Sequence, residues 1–450
     1  MAPIFTGRAF GFGRSADAGA AASNYWFTTL SAGTNYNAIG NGVIADGIGN
    51  IYAVGYYSDA AGGGQPKILI IKYNKSGEIE WQRSLHGSQG DYGHSIALDS
   101  VGGVYICGRT RSVGPGGLSG FIAKYSTVGA LQWQRSIGSS SNDSLYGIAA
   151  DSANNIYVVG DTSISGSIDY DLLLVKYNSS GTIQWQRALG GNNTDYGYSI
   201  AFDSSDNLYV CGEKYNSSYG RNDILIAKYN SSGTIQWQKI LGDQYTSNSD
   251  VGRGIAVDSS DNIYIVGYSE KPALGSDDVI LAKYNSSGTI QWQRYLGGTD
   301  NDKGHAIAID SSDDIYIFGE TRSAGAGNAD CLLAKYNSSG TIQWQRTFGG
   351  FSTEEVDANS LAIDADDNIC FVSETRSVSD IQLLLVKVPN DGSLTGTYGS
   401  FTYASSSLTS GTSTLGDNTG SLSDSSVSLT DASASMTAST PTLTTSTTTL

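Results

Sequence analysis

DLLLVKYNSSGTIQWQRALGGNNTDYGYSIAFDSSDNLYVCG, residues 171–212, decides the fold. It holds four short β-branched or aromatic segments, each bounded by Gly, Asn, Asp or Ser: 171–177, the run GTIQWQRALGG from Gly181, 198–203 and 207–212. In the second, Ile183, Trp185 and Arg187 fall on one face, as period-two alternation requires of a strand. No helical period persists for about ten residues anywhere in the unit. Asn178-Ser179-Ser180-Gly181 reads as a hairpin with glycine where the chain needs positive φ. Asp203-Ser204-Ser205-Asp206-Asn207 reads as a turn whose side chains cap their own backbone.

The unit recurs. AKYNSSGTIQWQ appears verbatim from Ala227, Ala282 and Ala334, with near-copies from Val175 and Ala123. The seven tryptophans, at 26, 81, 133, 185, 237, 292 and 344, are spaced 55, 52, 52, 52, 55 and 52 residues apart, one per repeat. The strand after the Asp turn occurs at Tyr52, Tyr105, Tyr157, Tyr209, Tyr264, Tyr316 and Cys370, and the lysine strand carries Lys72, Lys124, Lys176, Lys228, Lys283, Lys335 and Lys387. Four-stranded meanders repeated at this period are propeller blades, and the count is seven. The last repeat has Gly396 where the tryptophan should stand, while Trp26 in NYWFTTL precedes the first. The expectation is an all-β, seven-bladed propeller whose last blade is completed by the N-terminal strand, because an open ring would leave two unpaired sheet edges. Residues 25–399 form the ring, 1–24 an N-terminal anchoring arm, and 400–450 a Ser/Thr-rich assembly segment.

Composition agrees. Among 450 residues there are 57 glycines, 28 tyrosines and 6 prolines, a mixture suited to short strands and tight turns. The net charge of −17 argues against a nucleic-acid partner, which needs clustered Lys and Arg. No stretch approaches the ~20 apolar residues of a membrane span. The start, MAPIFTGRAFGFGRSADAGAAASN, lacks the apolar core of a signal peptide. Export by that route is not expected, whereas release by lysis as part of a virus particle needs no such segment. Cys107, Cys211, Cys331 and Cys370 fit no zinc spacing and read as small buried apolar side chains.

The pattern D-S-S-x-N-x-Y-x-x-G, then a lysine strand, S-G-x-x-x-W and L-G-G, resembles the bacterial β-propeller repeat called SBBP. The likeness runs from about Trp26 to Gly399 and departs at Cys370 and Ser373. It implies the propeller architecture and says little about activity. The Gly- and Phe-rich start FTGRAFGFG and the Ser/Thr tail from Ser405 to Leu450 look, in style, like virion proteins of tailed phages that infect cyanobacteria.

After Lys387 there is no Lys or Arg, and apolar residues return at short, fairly regular intervals: Leu408, Leu415, Leu422, Val427, Leu429, Met436 and Leu443. So few large side chains make no core of their own. The tail is expected to order as strands against other subunits, with Leu429 and Leu443 among its anchors. Phe5, Phe10 and Phe12 are the expected anchors of the N-terminal arm.

Several candidates recur in every blade or in most of them and are read as structural. Asp46, Asp99, Asp151, Asp203, Asp258, Asp310 and Asp364 suit turn caps paired with the lysines better than a metal-binding ring. The segment 364–368 lacks the glycine and terminal glutamate of a calcium loop. The Trp–Arg pairs, such as Trp185 with Arg187, suit packing between blades better than stacking on a sugar or base. No Gly-x-Ser-x-Gly, His-Glu-x-x-His or phosphate loop occurs, and no catalytic set, metal or cofactor is assigned. What varies is the opposite face. There the loops 109–117, 163–170, 213–222, 269–277 and 320–329, and 86–91, 191–195 and 243–250, differ from blade to blade. Five residues before each repeated aspartate stand Asn41, His94, Tyr146, Tyr198, Arg253, His305 and Asn359, expected to ring the channel mouth on that face as the ligand-binding set.

The functional expectation is a non-enzymatic virion structural or adhesion protein of a tailed phage. Its partners are other virion proteins or copies of itself, with contact to a host-surface glycan or protein through the varied face. The alternative is a bacterial extracellular lectin or adhesin using the same face; a propeller hydrolase has least support.

Overall fold

Each repeat folds, in the computed structural model, into the meander its turns dictate. The structure describes residues 10–11, 25–31, 37–58, 64–115, 117–163, 169–242, 249–271, 276–325, 328–350, 354–355, 360–377, 380–398, 401–406, 408–412, 416–419, 423–426, 430–433, 437–439 and 444–449. In the fourth blade Asp195–Phe202 is the inner strand, followed outward by Leu208–Asn216, Arg221–Tyr229 and Ile235–Gly242, all antiparallel. Seven such sheets form, and inner-strand residues of all seven, from Val43 to Leu361, line one central cavity. The lysine strands are covered on both faces, so their apolar residues run continuously, as in Leu172-Leu173-Leu174-Val175. Blades meet through apolar layers: Tyr157, Val159, Leu172 and Leu174 of the third pack on Ile200, Leu208, Val210 and Leu225 of the fourth.

Polar ties repeat at every junction. Trp81 Nε1 donates to the Thr127 carbonyl at 3.0 Å and Arg83 Nε to the Gly129 carbonyl at 2.7 Å, both in the next blade's hairpin turn. Gly129 has φ +75°, and a Cβ there would lie 2.8 Å from the Trp81 ring. The same glycine–tryptophan contact recurs around the ring to Gly392 on Trp344 and Gly77 on Trp26. Glycine in the hairpin is therefore required twice, by backbone and by packing. The Trp–Arg pairs serve the junctions, as expected.

The repeated aspartates are caps. Asp203 Oδ1 accepts the N–H groups of Ser205 and Asn207, while Oδ2 accepts Tyr209 OH at 3.0 Å and lies 3.2 Å from Lys228 Nζ. In the seventh blade Cys370 replaces the tyrosine, and Lys387 closes on Asp364 to 2.6 Å. Asp364 also caps its own turn through Asp366 and Asn368. All four cysteines are buried free thiols.

The ring closes as expected. Trp26–Ser31 pairs with Asp380–Val388, with Trp26 opposite Lys387, the partner a blade-final tryptophan has in the other blades.

The tail forms strands too, and the partner they pair with is the chain's own ring, where pairing against other subunits was expected. Phe401–Ser405, Thr409–Thr412, Gly416–Thr419, Ser423–Ser426, Thr430–Ser433, Thr437–Ser439 and Thr444–Thr449 each add a strand to the outer edge of a blade. They take the blades in descending order, from the sixth to the first, and end on the N-terminal strand of the seventh. Ser405, Thr412, Thr419, Ser426 and Ser433 pair with Arg346, Arg294, Lys239, Arg187 and Arg135, a step of seven tail residues for each repeat of the ring. The physical reason is the free edge each outer strand would otherwise expose. Leu408 is 6% exposed and packs with Leu296 and Val279, so apolar tail positions supply a side chain to a blade junction where they are described. Phe10 lies in the two-residue strand Phe10–Gly11, parallel to Thr444–Thr449. Phe5, Phe12, Leu429 and Leu443 lie outside the described residues, as do Leu415, Leu422, Val427 and Met436.

Candidate functional site

Pairing between the inner strand and its neighbour slips at the same place in six blades: Gly40/Gly42, Gly93/Ser95, Leu145/Gly147, Gly197/Ser199, Gly252/Gly254 and Gly304/Ala306. The extra residue at each slip is Asn41, His94, Tyr146, Tyr198, Arg253 or His305. The varied ring is thus a ring of β-bulges, a device that re-aims a side chain out of the pleat. Asn359, the seventh member, lies outside the described residues. The bulge also explains the glycine of Y-x-x-G: a Cβ on Gly212 would sit 1.8 Å from the Tyr196 carbonyl oxygen, and one on Gly108 1.9 Å from that of Tyr92.

These side chains touch in sequence around the mouth. Asn41 Nδ2 donates to the Gly93 carbonyl at 2.7 Å. His94 Nδ1 donates to the Leu145 carbonyl at 2.8 Å, and its ring stacks on Tyr146 at 5.2 Å and 11°. Tyr146 meets Tyr198 at 5.6 Å. The Arg253 guanidinium lies 4.2 Å from the Tyr198 ring centre, and its Nη2 donates to Tyr268 OH at 3.3 Å. His305 follows, 6.4 Å from the Tyr268 ring.

A second varied ring escaped the sequence reading. The residue after each Y-x-x-G glycine, or after Ser373 in the last blade, is Tyr56, Arg109, Asp161, Glu213, Tyr268, Glu320 or Glu374. Its signal was available: variation at a fixed step from a glycine repeated in six blades. Tyr198 OH donates to Glu213 Oε1 at 2.5 Å, and Asn222 Nδ2 to Oε2 at 2.9 Å. Arg109 lies 4.8 Å from the Tyr92 ring centre, and Tyr170 stacks on Tyr196, which stacks on Tyr198. Beneath the rings the channel holds a cavity of about 170 Å³ walled by Val43, Ile96, Ile148, Ile200, Ile255 and Ile307. Ser95 and Ser199 line the same cavity and its exposed surface is mostly polar, beneath a rim that is polar and aromatic.

Burial tunes the rim. It lowers His94 to about 4, helped by the Arg109 charge, and His305 to about 3, helped by Arg253 and Lys303. Both imidazoles are neutral near pH 7. Burial pushes the Asp161 carboxyl up to about 7. Burial and the Glu213 charge raise the Tyr198 hydroxyl above the ordinary phenol. Among the described residues no group of three His, Cys, Asp or Glu side chains is placed to hold a metal ion.

A rigid ring with a uniform face and a varied one defines a β-propeller compatible with protein or ligand interaction. Five stretches, 82–115, 132–166, 184–213, 236–270 and 291–325, match the SBBP beta-propeller repeat, and the chain is an SBBP-type propeller. It is 24% identical to an uncharacterized WD repeat-containing protein of Acanthamoeba polyphaga mimivirus, over 41% of this chain and 18% of that one. It is 31% identical to the regulatory protein FlaEY of Caulobacter vibrioides, over 25% of this chain and 13% of that one. The matches therefore span less than a fifth of either relative. Among solved structures, a protein of unknown function from Dyadobacter fermentans is similar at 10% identity and TM-score 0.44, covering 81% of this chain and 98% of that one. A Trypanosoma rangeli sialidase is similar at 12% identity and TM-score 0.43, covering 70% and 57%. Both are likenesses of fold.

Proposed function

We propose that this chain is a non-enzymatic recognition protein that binds a ligand at the bulge ring and serves in adhesion. The observation that carries the reading is the placement of the variation. Side chains that differ from blade to blade are the ones each bulge aims at the channel mouth, while the cap aspartate and the junction tryptophan recur in every blade. The setting we favour is a tailed-phage virion contacting a host surface, on the likeness of the termini. A bacterial surface lectin would use the same rim.

One feature favours a hydrolytic reading: Tyr198 hydrogen-bonded to Glu213, with the raised carboxyl of Asp161 in the neighbouring blade. A tyrosine nucleophile needs its phenolate within reach, and here burial and Glu213 both move Tyr198 away from it. Binding is therefore the better use of these groups. The test is incubation of the full-length protein with bacterial envelope polysaccharide, followed by mass analysis of what it retains. Retention with recovery of intact material is expected; cleavage products accumulating with time would contradict the non-enzymatic reading.

A further inference from the structure

Resting on that reading of the rim, we propose that its ligand is a carboxylate-bearing sugar, with the carboxylate held by Arg253 and the sugar ring over the tyrosines that run from it toward Arg109.

The argument starts from how the chain uses its arginines. Arg83, Arg135, Arg187, Arg294 and Arg346 each donate Nε to a glycine carbonyl of the next blade. Arg221 pairs with Asp223 at 3.1 Å and Arg376 with Glu374 at 3.1 Å. Arg111 and Arg322 are exposed. Arg109 and Arg253 differ. Both are half-buried, both have an Nε shut off from solvent with no hydrogen-bond partner, and neither has a carboxylate oxygen within 4.0 Å among the described residues. Each lies against tyrosine, Arg109 on Tyr92 and Arg253 on Tyr198 and Tyr268. A half-buried guanidinium with no carboxylate in direct contact is costly, and although Arg253 spends Nη2 on Tyr268 and feels the Glu213 charge, its remaining N–H groups match a ligand carboxylate.

The nearest acids do not answer the need. Glu213 spends both oxygens on Tyr198 and Asn222. Asp161, on the Arg109 side, is raised to about 7 by its burial and is only partly ionised near neutral pH. The chain as a whole, at −17, repels anions, so these two cations at the rim are a local exception. Between them run Tyr146 and Tyr198, 5.6 Å apart, with Tyr196 stacked on Tyr198. The half-buried rings of Tyr146 and Tyr196 suit the C–H side of a pyranose, and the unpartnered Asp161 Oδ1 and His305 Nε2 suit its hydroxyls.

The experiment is titration calorimetry and thermal shift on the full-length protein with methyl glucuronide, methyl glucoside and inorganic phosphate. The glucuronide should bind at least tenfold tighter than the glucoside or phosphate, and should weaken severalfold when salt is raised from 50 to 500 mM. Arg253→Met should lose at least tenfold in affinity, and Arg322→Met should lose nothing. If Arg253→Met does not fold, Arg253→Lys and the wild-type salt dependence carry the test. Equal binding of glucuronide and glucoside, phosphate binding as tight as glucuronide, or no binding of any of the three overturns the proposal. Retention of envelope polysaccharide by a protein that ignores glucuronide would overturn this assignment and leave the recognition reading standing.

Discussion

Trp26 donates its indole Nε1 to the Lys75 carbonyl at 3.0 Å, joining residues 49 apart in sequence across the last junction of the ring. It is 1% exposed, more deeply buried than Trp81 at 8%. Its strand belongs to the seventh blade and the carbonyl to the first, so this bond and the Gly77 contact seal the circle. Trp26→Ala should cost about 3–5 kcal/mol in chemical denaturation. Trp237→Ala, at a junction inside the chain where the tryptophan is half-buried, should cost less.

Gly181 has φ +78°, and a Cβ there would lie 2.9 Å from the Trp133 ring. Gly181→Ala should destabilise by roughly 1–3 kcal/mol. Gly47, whose Cβ would meet nothing within 4 Å, is the control and should tolerate alanine. Thermal melts of the two variants side by side check this.

The pH dependence has two opposed parts. Asp161 is raised to about 7 in the folded chain from an ordinary value near 4, so its contribution is present below pH ~4 and is lost as pH rises to 7. His94 is lowered to about 4 from 6.5, so its contribution is present above pH 6.5 and is lost as pH falls through 4. His305, lowered to about 3, adds to the His94 part, and Asp195, raised to about 7 by its burial, adds to the Asp161 part, so two opposed pairs leave the wild type changing little in stability between pH 4.5 and 6.5. Asp161→Asn removes the first part and should gain roughly 2–4 kcal/mol relative to wild type between pH 4 and 8, read by denaturant titration at each pH.

A protease site inserted in the full-length chain near residue 400 tests the tail. Seven described strands tie the tail to all seven blades, so the cleaved tail should stay with the ring through gel filtration and leave it in denaturant. Release under native conditions would contradict the pairing.

The ring was legible because its rules are local. Tryptophan spacing, the N-S-S-G hairpin and the D-S-S-x-N turn each force one element, and Gly396 opposite Trp26 foretold closure. Membership of the first rim was also legible, as a position varying at a fixed step from Asp. The bulge was not, because it lies in the register between two strands, seen afterwards in the clash a Cβ on Gly212 would make with Tyr196. Nor was the course of the tail, because Ser and Thr declare a strand without naming its partner; the pairing of Ser405 with Arg346 and of Thr412 with Arg294 does that. Arg109 and Arg253 became conspicuous once the partners of the other described arginines were known.

The central claim is that recognition belongs to the bulged face. Its most direct measurement compares adhesion of labelled full-length protein to envelope polysaccharide for two pairs of variants. Tyr146→Ala and Tyr196→Ala alter the rim, while Ser179→Arg and Ser286→Arg load the hairpin face with bulk and charge. We expect the rim variants to bind at least tenfold more weakly and the hairpin variants to bind like wild type. Loss of adhesion in the hairpin variants with the rim variants unaffected would place recognition on the opposite face and contradict the account.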